Sequence, residues 1–357
     1  VPSLDTLRGL FALCVAVYHF STWTHVFGSG TPASSAVAVL GIYSVEGFFI
    51  ISGFCFFHLY GQTGVAGRDL RGFYIKRYLR LAPLYYLAFF LNVILARPVG
   101  PLTWQRVLEN VTLSFGLFHP NHARVLGGWS IGIEVVFYLA FPLLVWLVRP
   151  RVALLATTFA FVLLALLHNQ RPVPTASIWL RFDQYVELPN HAFLFLLGGV
   201  LADLRRRVPV RLPSALLIAL LTTVIIVAAQ NQSAFQDHFD VMHGAARVHH
   251  LLACFAVVLL CAFQRPTAGL VSKPMRWLGD VSYSVYLLHP FASSAVTSVL
   301  PADAAPPYVF TLGMMLTLIF AALTRRWIEE PAIAWGKRLS HRESPVIVGS
   351  LHNVVEQ

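Results

Sequence analysis

Arg8 and His19 lie in the first apolar stretch of the chain, where an unpaired charge is costly enough that such residues mark functional sites. They are eleven residues apart. Eleven helical steps of about 100° end about 20° past three full turns, so both project from one face, roughly 16 Å apart along the axis. Asp5, three residues before Arg8, shares that face and can neutralise it. Imidazole is the side chain whose unperturbed pKa lies near neutrality. His19 beside a carboxylate can therefore remove a proton from a hydroxyl, leaving an alkoxide to attack an activated carbonyl. Residue type and depth also fit a hydrogen-bonded histidine in helix packing, or a gate in a proton path.

Other ionisable groups fall inside later apolar stretches. Glu134 follows Trp129 by five residues and is expected about 8 Å below the outer surface, at a depth similar to that of His19 at about 22 Å from the inner end of its helix. Glu46 is expected about 14 Å down and His289 about 12 Å up. Together with Asp5 and Trp129 they are candidates to line a polar cavity. Lys76, Arg77 and Arg80 place three cations within about one and a half turns. Such a cluster can hold a phosphorylated ligand by charge-assisted hydrogen bonds, although basic residues at an inner helix end are also ordinary topology signals. Gly-rich phosphate loops and the Gly-x-Ser-x-Gly elbow are absent. The Ile51-Ser52-Gly53-Phe54 stretch reads as a close helix contact through small residues rather than a serine nucleophile.

The elements that must position these groups are membrane helices. Of 357 residues, 57% are apolar and 12% charged, which is not soluble-protein composition. Ten stretches approach the roughly 20 apolar residues needed to cross a bilayer: 4–27, 37–60, 73–96, 129–148, 152–167, 188–204, 212–229, 247–263, 281–300 and 307–324. This is an all-α polytopic bundle with an even number of spans, so both termini face one side. Loop charge agrees. Nineteen Lys and Arg fall on the side of the termini, and only Arg97, Arg106, Arg124, Arg171, Arg181 and Arg247 fall opposite, which assigns the termini to the cytoplasm of a plasma membrane. Nothing resembles a cleavable signal, so the first helix is expected to be kept.

The net charge of +10 is spread between apolar runs, which argues against a nucleic-acid partner. Cys14, Cys55, Cys254 and Cys261 sit inside apolar runs with no metal-ligand spacing, so neither a disulfide framework nor a metal site is implied. The outer connections 97–128, 168–187 and 230–246 are long. Within the first of them, 103–118 has the pattern of an amphipathic segment lying on the membrane surface. The tail from 325 reads as a short helix followed by disorder.

These residues belong to phrases that resemble a known family. Leu4-Asp5-Thr6-Leu7-Arg8-Gly9 with His19 is similar to the opening of the acyltransferase-3 family, whose hallmark is Arg followed after ten residues by His. Val45-Glu46-Gly47-Phe48-Phe49-Ile50-Ile51-Ser52-Gly53-Phe54 resembles its second-helix phrase, and Arg77-Tyr78-Leu79-Arg80-Leu81-Ala82-Pro83 its third-helix segment. Trp129-Ser130-Ile131-Gly132-Ile133-Glu134, Ser282-Tyr283-Ser284-Val285-Tyr286-Leu287-Leu288-His289-Pro290 and Glu329-Glu330-Pro331 follow in the family's order. The resemblance covers about residues 3–331. Thr6, Phe11 and Gly47 depart from the common pattern, none at an ionisable position.

The resemblance implies transfer of an acyl group, commonly acetyl, from cytoplasmic acyl-CoA to a hydroxyl, often on an envelope glycan. It makes His19 the general base or acyl-handling catalyst, Arg8 its partner and Arg77, Arg80 and the adjacent Lys76 candidates for the cofactor's phosphates; Glu134, expected to aid His19 in catalysis, and His289 match family phrases. No permanently bound cofactor is expected. The domain reading is 1–331 as a membrane acyltransferase domain and 332–357 as a cytoplasmic polar tail, too short for a further domain. A proton-coupled transporter or flippase using the same residues as a relay stays open, as does a lipid or ligand receptor.

Overall fold

The computed structural model describes residues 2–65, 69–95, 101–171, 178–210, 212–230, 241–264 and 272–341. Each of the ten apolar stretches coincides with a helix, and the described residues contain no strand, only one isolated bridge between Leu212 and Gln264. In chain order the helices are α1 (Pro2–Thr24), α2 (Pro32–Tyr60), α3 (Leu70–Ile94), α4 (Trp104–Thr112), α5 (Phe115–Phe118), α6 (Gly128–Leu147), α7 (Arg151–Asn169) and α8 (Ile178–Tyr185). They continue with α9 (Ala192–Arg207), α10 (Ser214–Gln230), α11 (Gly244–Phe263), α12 (Ser272–Asp280), α13 (Ser282–Val299), α14 (Pro306–Thr324) and α15 (Glu330–His341). Local chemistry sets several ends. Thr31 and Ser34 form a reciprocal capping box ahead of α2, with Pro32 in its first turn.

α2 is apolar all round and buried on most sides, as a central helix must be. It packs against α1, α6, α9, α10 and α11. Its contact with α9 is close enough that a Cβ on Gly53 would lie 2.0 Å from the Phe195 carbonyl oxygen, and one on Gly198 would lie 2.2 Å from that of Ile50. This is the small-residue contact expected of the Ile51–Phe54 stretch.

The periphery is inverted relative to a water-soluble protein. Val152 and Phe159 of α7 are 78% and 70% exposed, which only an apolar solvent tolerates at this density. Among the described residues, five helices are long and apolar enough to cross a membrane: α2, α6, α7, α11 and the continuous helix from Pro306, or six if the bent pair 179–185 and 188–207 is one span. α1 and α3 do not meet that test, since Asp5 and Arg8, and Lys76, Arg77 and Arg80, dilute their apolar runs; α9 and α10, at 16 and 17 residues, are short. The molecule is an all-helical membrane protein.

The chain does not leave the bundle at residue 331. α14 passes through a π-helical turn, Arg325–Glu329, into α15, which packs along α3 with Gly336 beside Leu79 and Lys76. The boundary expected at 331 therefore falls inside a packed helix. Residues 342–357, assigned above to disorder, lie outside the described residues, as do Arg68, Arg97, Arg211, Arg265 and Arg342 of the charge count. The amphipathic segment is α4 and α5, broken at Leu113, whose φ of 58° is left-handed. Its apolar face points outward through Trp104, Leu108 and Val111, while Glu109 and Asn110 are buried.

Candidate functional site

His19 is one member of a histidine pair. Its Nδ1 lies 3.0 Å from Nε2 of His289 on α13, and the rings stack with centroids 4.9 Å apart. His289 Nδ1 donates to the Tyr286 carbonyl at 2.8 Å. A neutral imidazole carries one N–H, so His289 Nε2 is an acceptor and His19 Nδ1 must donate to it. His19 Nε2 is then left with its lone pair, the state a general base requires. Trp23, one turn on from His19, stacks against both rings.

The expected depths put these histidines about 10 Å apart along the bundle axis, and the structure corrects that. α12 and α13 do not begin at the level of α1. Gly279 packs so closely on α1 that a Cβ there would lie 2.2 Å from the Asp5 carbonyl oxygen, and one on Gly9 would lie 2.7 Å from the Gly279 nitrogen. α13 therefore starts at the height of Gly9, well inside the bundle.

Two adjoining cavities meet at this point. His19 lines a chamber of about 210 Å³ with Trp129, Leu126, Gly127, Tyr185 and Tyr286. A smaller cavity of about 50 Å³ is lined by Arg8, Arg80, Glu134, Ser52, Ser130 and Tyr283. Val45 and Tyr286 line both, so they form the wall between them. Tyr286 is held there by its hydroxyl, 2.8 Å from Ser130 Oγ and 3.0 Å from the Gly127 carbonyl. Gly127 sits at φ 76°, and a Cβ on it would strike the Tyr286 hydroxyl at 2.7 Å.

Phrases far apart in sequence supply these contacts. Glu134 accepts hydrogen bonds from Ser52, at 2.9 Å, and from Tyr138. Tyr283 donates to the Leu81 carbonyl at 2.8 Å, and Ser284 donates to buried Glu329. The second-helix, third-helix, Trp-Ser and Ser-Tyr-Ser phrases thus close around one pair of cavities, and the Glu-x-Pro phrase anchors the Ser-Tyr-Ser helix through Ser284.

Comparison with known proteins agrees. The acyltransferase-domain family matches residues 1–326. The chain belongs to the acyltransferase-3 family. It is similar to the peptidoglycan O-acetyltransferase OatA of Listeria monocytogenes serovar 1/2a, with 27% identity over 93% of this chain and 55% of that protein. It is also similar to the putative peptidoglycan O-acetyltransferase YrhL of Bacillus subtilis strain 168, with 24% identity over 95% and 56%. The O-acetyltransferase OatA of Staphylococcus aureus strain NCTC 8325 shares 26% identity over 93% and 57%. The chain spans just over half the length of these relatives. No solved structure matches it.

In this acyltransferase-3 chain the candidate residues separate into groups. Arg8, Arg80 and Glu134 share one cavity, and His19 and Trp129 line the other. Glu134 is thus bound to Ser52 and Tyr138 rather than paired with His19, whose partner is His289. Asp5 lies at the exposed end of α1, one turn before Arg8. The cationic trio is divided as well. Arg77 lies over the Phe56 ring at 4.2 Å, and Lys76 approaches Asp69 at 3.9 Å, while Arg80 alone of the three lines the cavity.

Glu46 is a correction to its reading as a cavity residue. It is fully buried and lines neither cavity. Its carboxylate accepts from Tyr185 at 3.0 Å and Arg247 at 3.3 Å, and faces His191 Nδ1 at 3.0 Å. His191 Nε2 faces the Tyr185 carbonyl at 2.7 Å. The ring is thus held between two oxygen atoms of the network. Arg247, counted above as an outer-loop cation, is 4% exposed and belongs to this network. Sequence reading missed it because Glu46, Tyr185, His191 and Arg247 sit on four separate segments. Glu46→Gln is expected to cost about 3–5 kcal/mol by leaving the buried Arg247 guanidinium without its counter-charge. Denaturation in detergent measures this, and unchanged stability would show that the network does not hold the bundle.

Proposed function

We propose that this chain is an integral-membrane O-acyltransferase that moves an acetyl group from cytoplasmic acetyl-CoA to a hydroxyl of an envelope glycan. Peptidoglycan is the first acceptor to test, because two of the relatives carry it in their names. The observation that carries the reading is the ordered histidine pair, whose His19 lines the chamber with Nε2 left unprotonated beside a cavity large enough for a sugar hydroxyl and an acyl group. In this mechanism His19 takes the hydroxyl proton as the acceptor oxygen attacks the thioester carbonyl. The C–S bond then breaks, and the imidazolium returns the proton to the departing thiolate, so histidine ends neutral. The cavity beyond Tyr286, with Arg8 and Arg80, is the proposed donor side, where a guanidinium meets cofactor phosphate or developing negative charge.

The topology that fits this route is ten spans with both termini cytoplasmic. Its support is the concentration of Lys and Arg on the side of the termini.

The test supplies the purified chain in detergent with acetyl-labelled CoA and peptidoglycan fragments or other envelope glycans. Ester-linked label on the glycan is expected. Absence of transfer from acetyl-CoA and from longer acyl-CoA donors to every glycan overturns the assignment and leaves the transporter reading. Arg80→Gln is expected to raise KM for acetyl-CoA about tenfold or more, since one charge-assisted hydrogen bond is worth about 1.5–3 kcal/mol. Lys76→Gln, on an exposed pair worth about 0–1 kcal/mol, should change it only a few-fold. The reverse order would move the phosphate site to the cluster's outer member.

A further inference from the structure

Three side chains that this reaction does not use meet at one point between α4 and the turn that leads to α6. Glu109 of α4 has Oε1 2.9 Å from His119 Nδ1 and Oε2 2.7 Å from His122 Nδ1. The two rings stack with centroids 4.5 Å apart, and the three donor atoms lie within 4.8 Å of one another. The Glu109 side chain is 8% exposed and His122 18%, while His119 at 46% leaves one side open.

The surroundings hold this arrangement from behind. Gln105 Nε2 donates to Glu109 Oε1 at 2.9 Å. Asn110 Nδ2 donates to the His122 carbonyl at 2.9 Å, and Asn110 Oδ1 accepts from the Arg124 backbone N–H and the Tyr85 hydroxyl. Burial works to raise the Glu109 carboxyl's pKa, and hydrogen bonds from Gln105, His119 and His122 outweigh it, so the net shift is downward.

The geometry points to a divalent transition-metal site formed by the Glu109 carboxylate and the Nδ1 atoms of His119 and His122, with Zn²⁺ the ion its donor set favours. Two imidazoles and one carboxylate are borderline ligands that suit Zn²⁺, whereas Mg²⁺ and Ca²⁺ demand mostly oxygen. A tetrahedral ion with bonds of about 2.0–2.1 Å needs donor separations of about 3.3 Å. The present hydrogen-bonded distances must widen by roughly half an ångström, which exposed His119 permits. On binding, a proton on either Nδ1 passes to that ring's Nε2 through solvent, or is released if the ring is doubly protonated. Water fills the fourth position.

The placement gives such an ion a structural consequence. Asn121, between the two histidines, hydrogen-bonds Asp183 of α8, the helix that lends Trp179, Phe182 and Tyr185 to the chamber. The same turn runs on to Leu126 and Gly127 of the chamber wall. An ion clamping His119 and His122 to α4 would therefore steady two segments of the chamber wall.

The full chain in detergent, stripped with chelator and titrated with Zn²⁺ alone, is expected to bind one ion per chain by elemental analysis and calorimetry. Substituted Co²⁺ should show visible absorption of a four- or five-coordinate site. Zn²⁺ should also raise Tm of the wild type. Glu109→Gln and His119→Asn should each weaken binding at least tenfold, and the double variant should lose both the Co²⁺ bands and the Tm rise. His119→Asn is the variant least able to disturb folding, because its side chain is half exposed and asparagine can still donate to Glu109. Zn²⁺ binding unchanged in a folded double variant, or no wild-type binding at micromolar Zn²⁺, overturns the site. Neither result bears on acyl transfer, which is read separately.

Discussion

His19→Ala is expected to lower turnover about 10²- to 10⁴-fold, the range a positioned general base contributes. The loss should fall on kcat with KM for acetyl-CoA nearly unchanged, because His19 lines the chamber beyond Tyr286 and not the cavity that holds Arg8 and Arg80. The folded state should survive. The substitution removes one ring from a partly open chamber, and the charged network at Glu46 that ties α2 to α11 is untouched. Label transfer measured beside a melting curve separates chemistry from folding. A folded variant that retains wild-type transfer would remove His19 from the reaction and leave the pair as a packing feature.

His289→Leu is expected to cost about 10- to 10²-fold in kcat, less than loss of the base itself. Leucine fills the buried space but removes the acceptor for the His19 Nδ1 proton, so the ring loses both its tautomer and its orientation. His289→Gln should restore much of the activity, since an amide oxygen can accept that proton. Such rescue distinguishes positioning from simple packing, because leucine preserves the apolar contacts better than glutamine does. The double variant His19→Ala/His289→Leu should be no worse than His19→Ala alone, as expected for residues acting as one unit. Equal activity of the leucine and glutamine variants would mean that the contact orders nothing. Additive losses would give His289 a separate task.

Much of the helix pattern was legible because it rests on local physics. Apolar length acts within a few residues of chain, and each of the ten stretches coincides with a helix for that reason. α4 and α5 were legible as an amphipathic segment on the same ground. The boundary placed at 331 falls inside α15, because polarity of the tail does not reveal that this helix has α3 to pack on. The Glu109, His119 and His122 cluster was passed over because a Glu four residues before the break in the amphipathic segment and a His-x-x-His turn become neighbours only once Leu113 reverses the chain.

From its sequence alone the chain was determined to be helical, apolar and built of acyltransferase-3 phrases, with Arg8 and His19 on one face of α1. Rotation about a single helix follows from its 3.6-residue period, and no tertiary information is needed for it. Tertiary packing decided who meets whom. The Gly9–Gly279 contact lifts α13 until His289 reaches His19, and Gly127 makes room for the Tyr286 hydroxyl at the wall. The Gly53–Gly198 approach draws α9 and its leading His191 onto Glu46. Offsets between helices are set where backbones touch through small residues, and a hydropathy pattern carries no record of which glycine faces which.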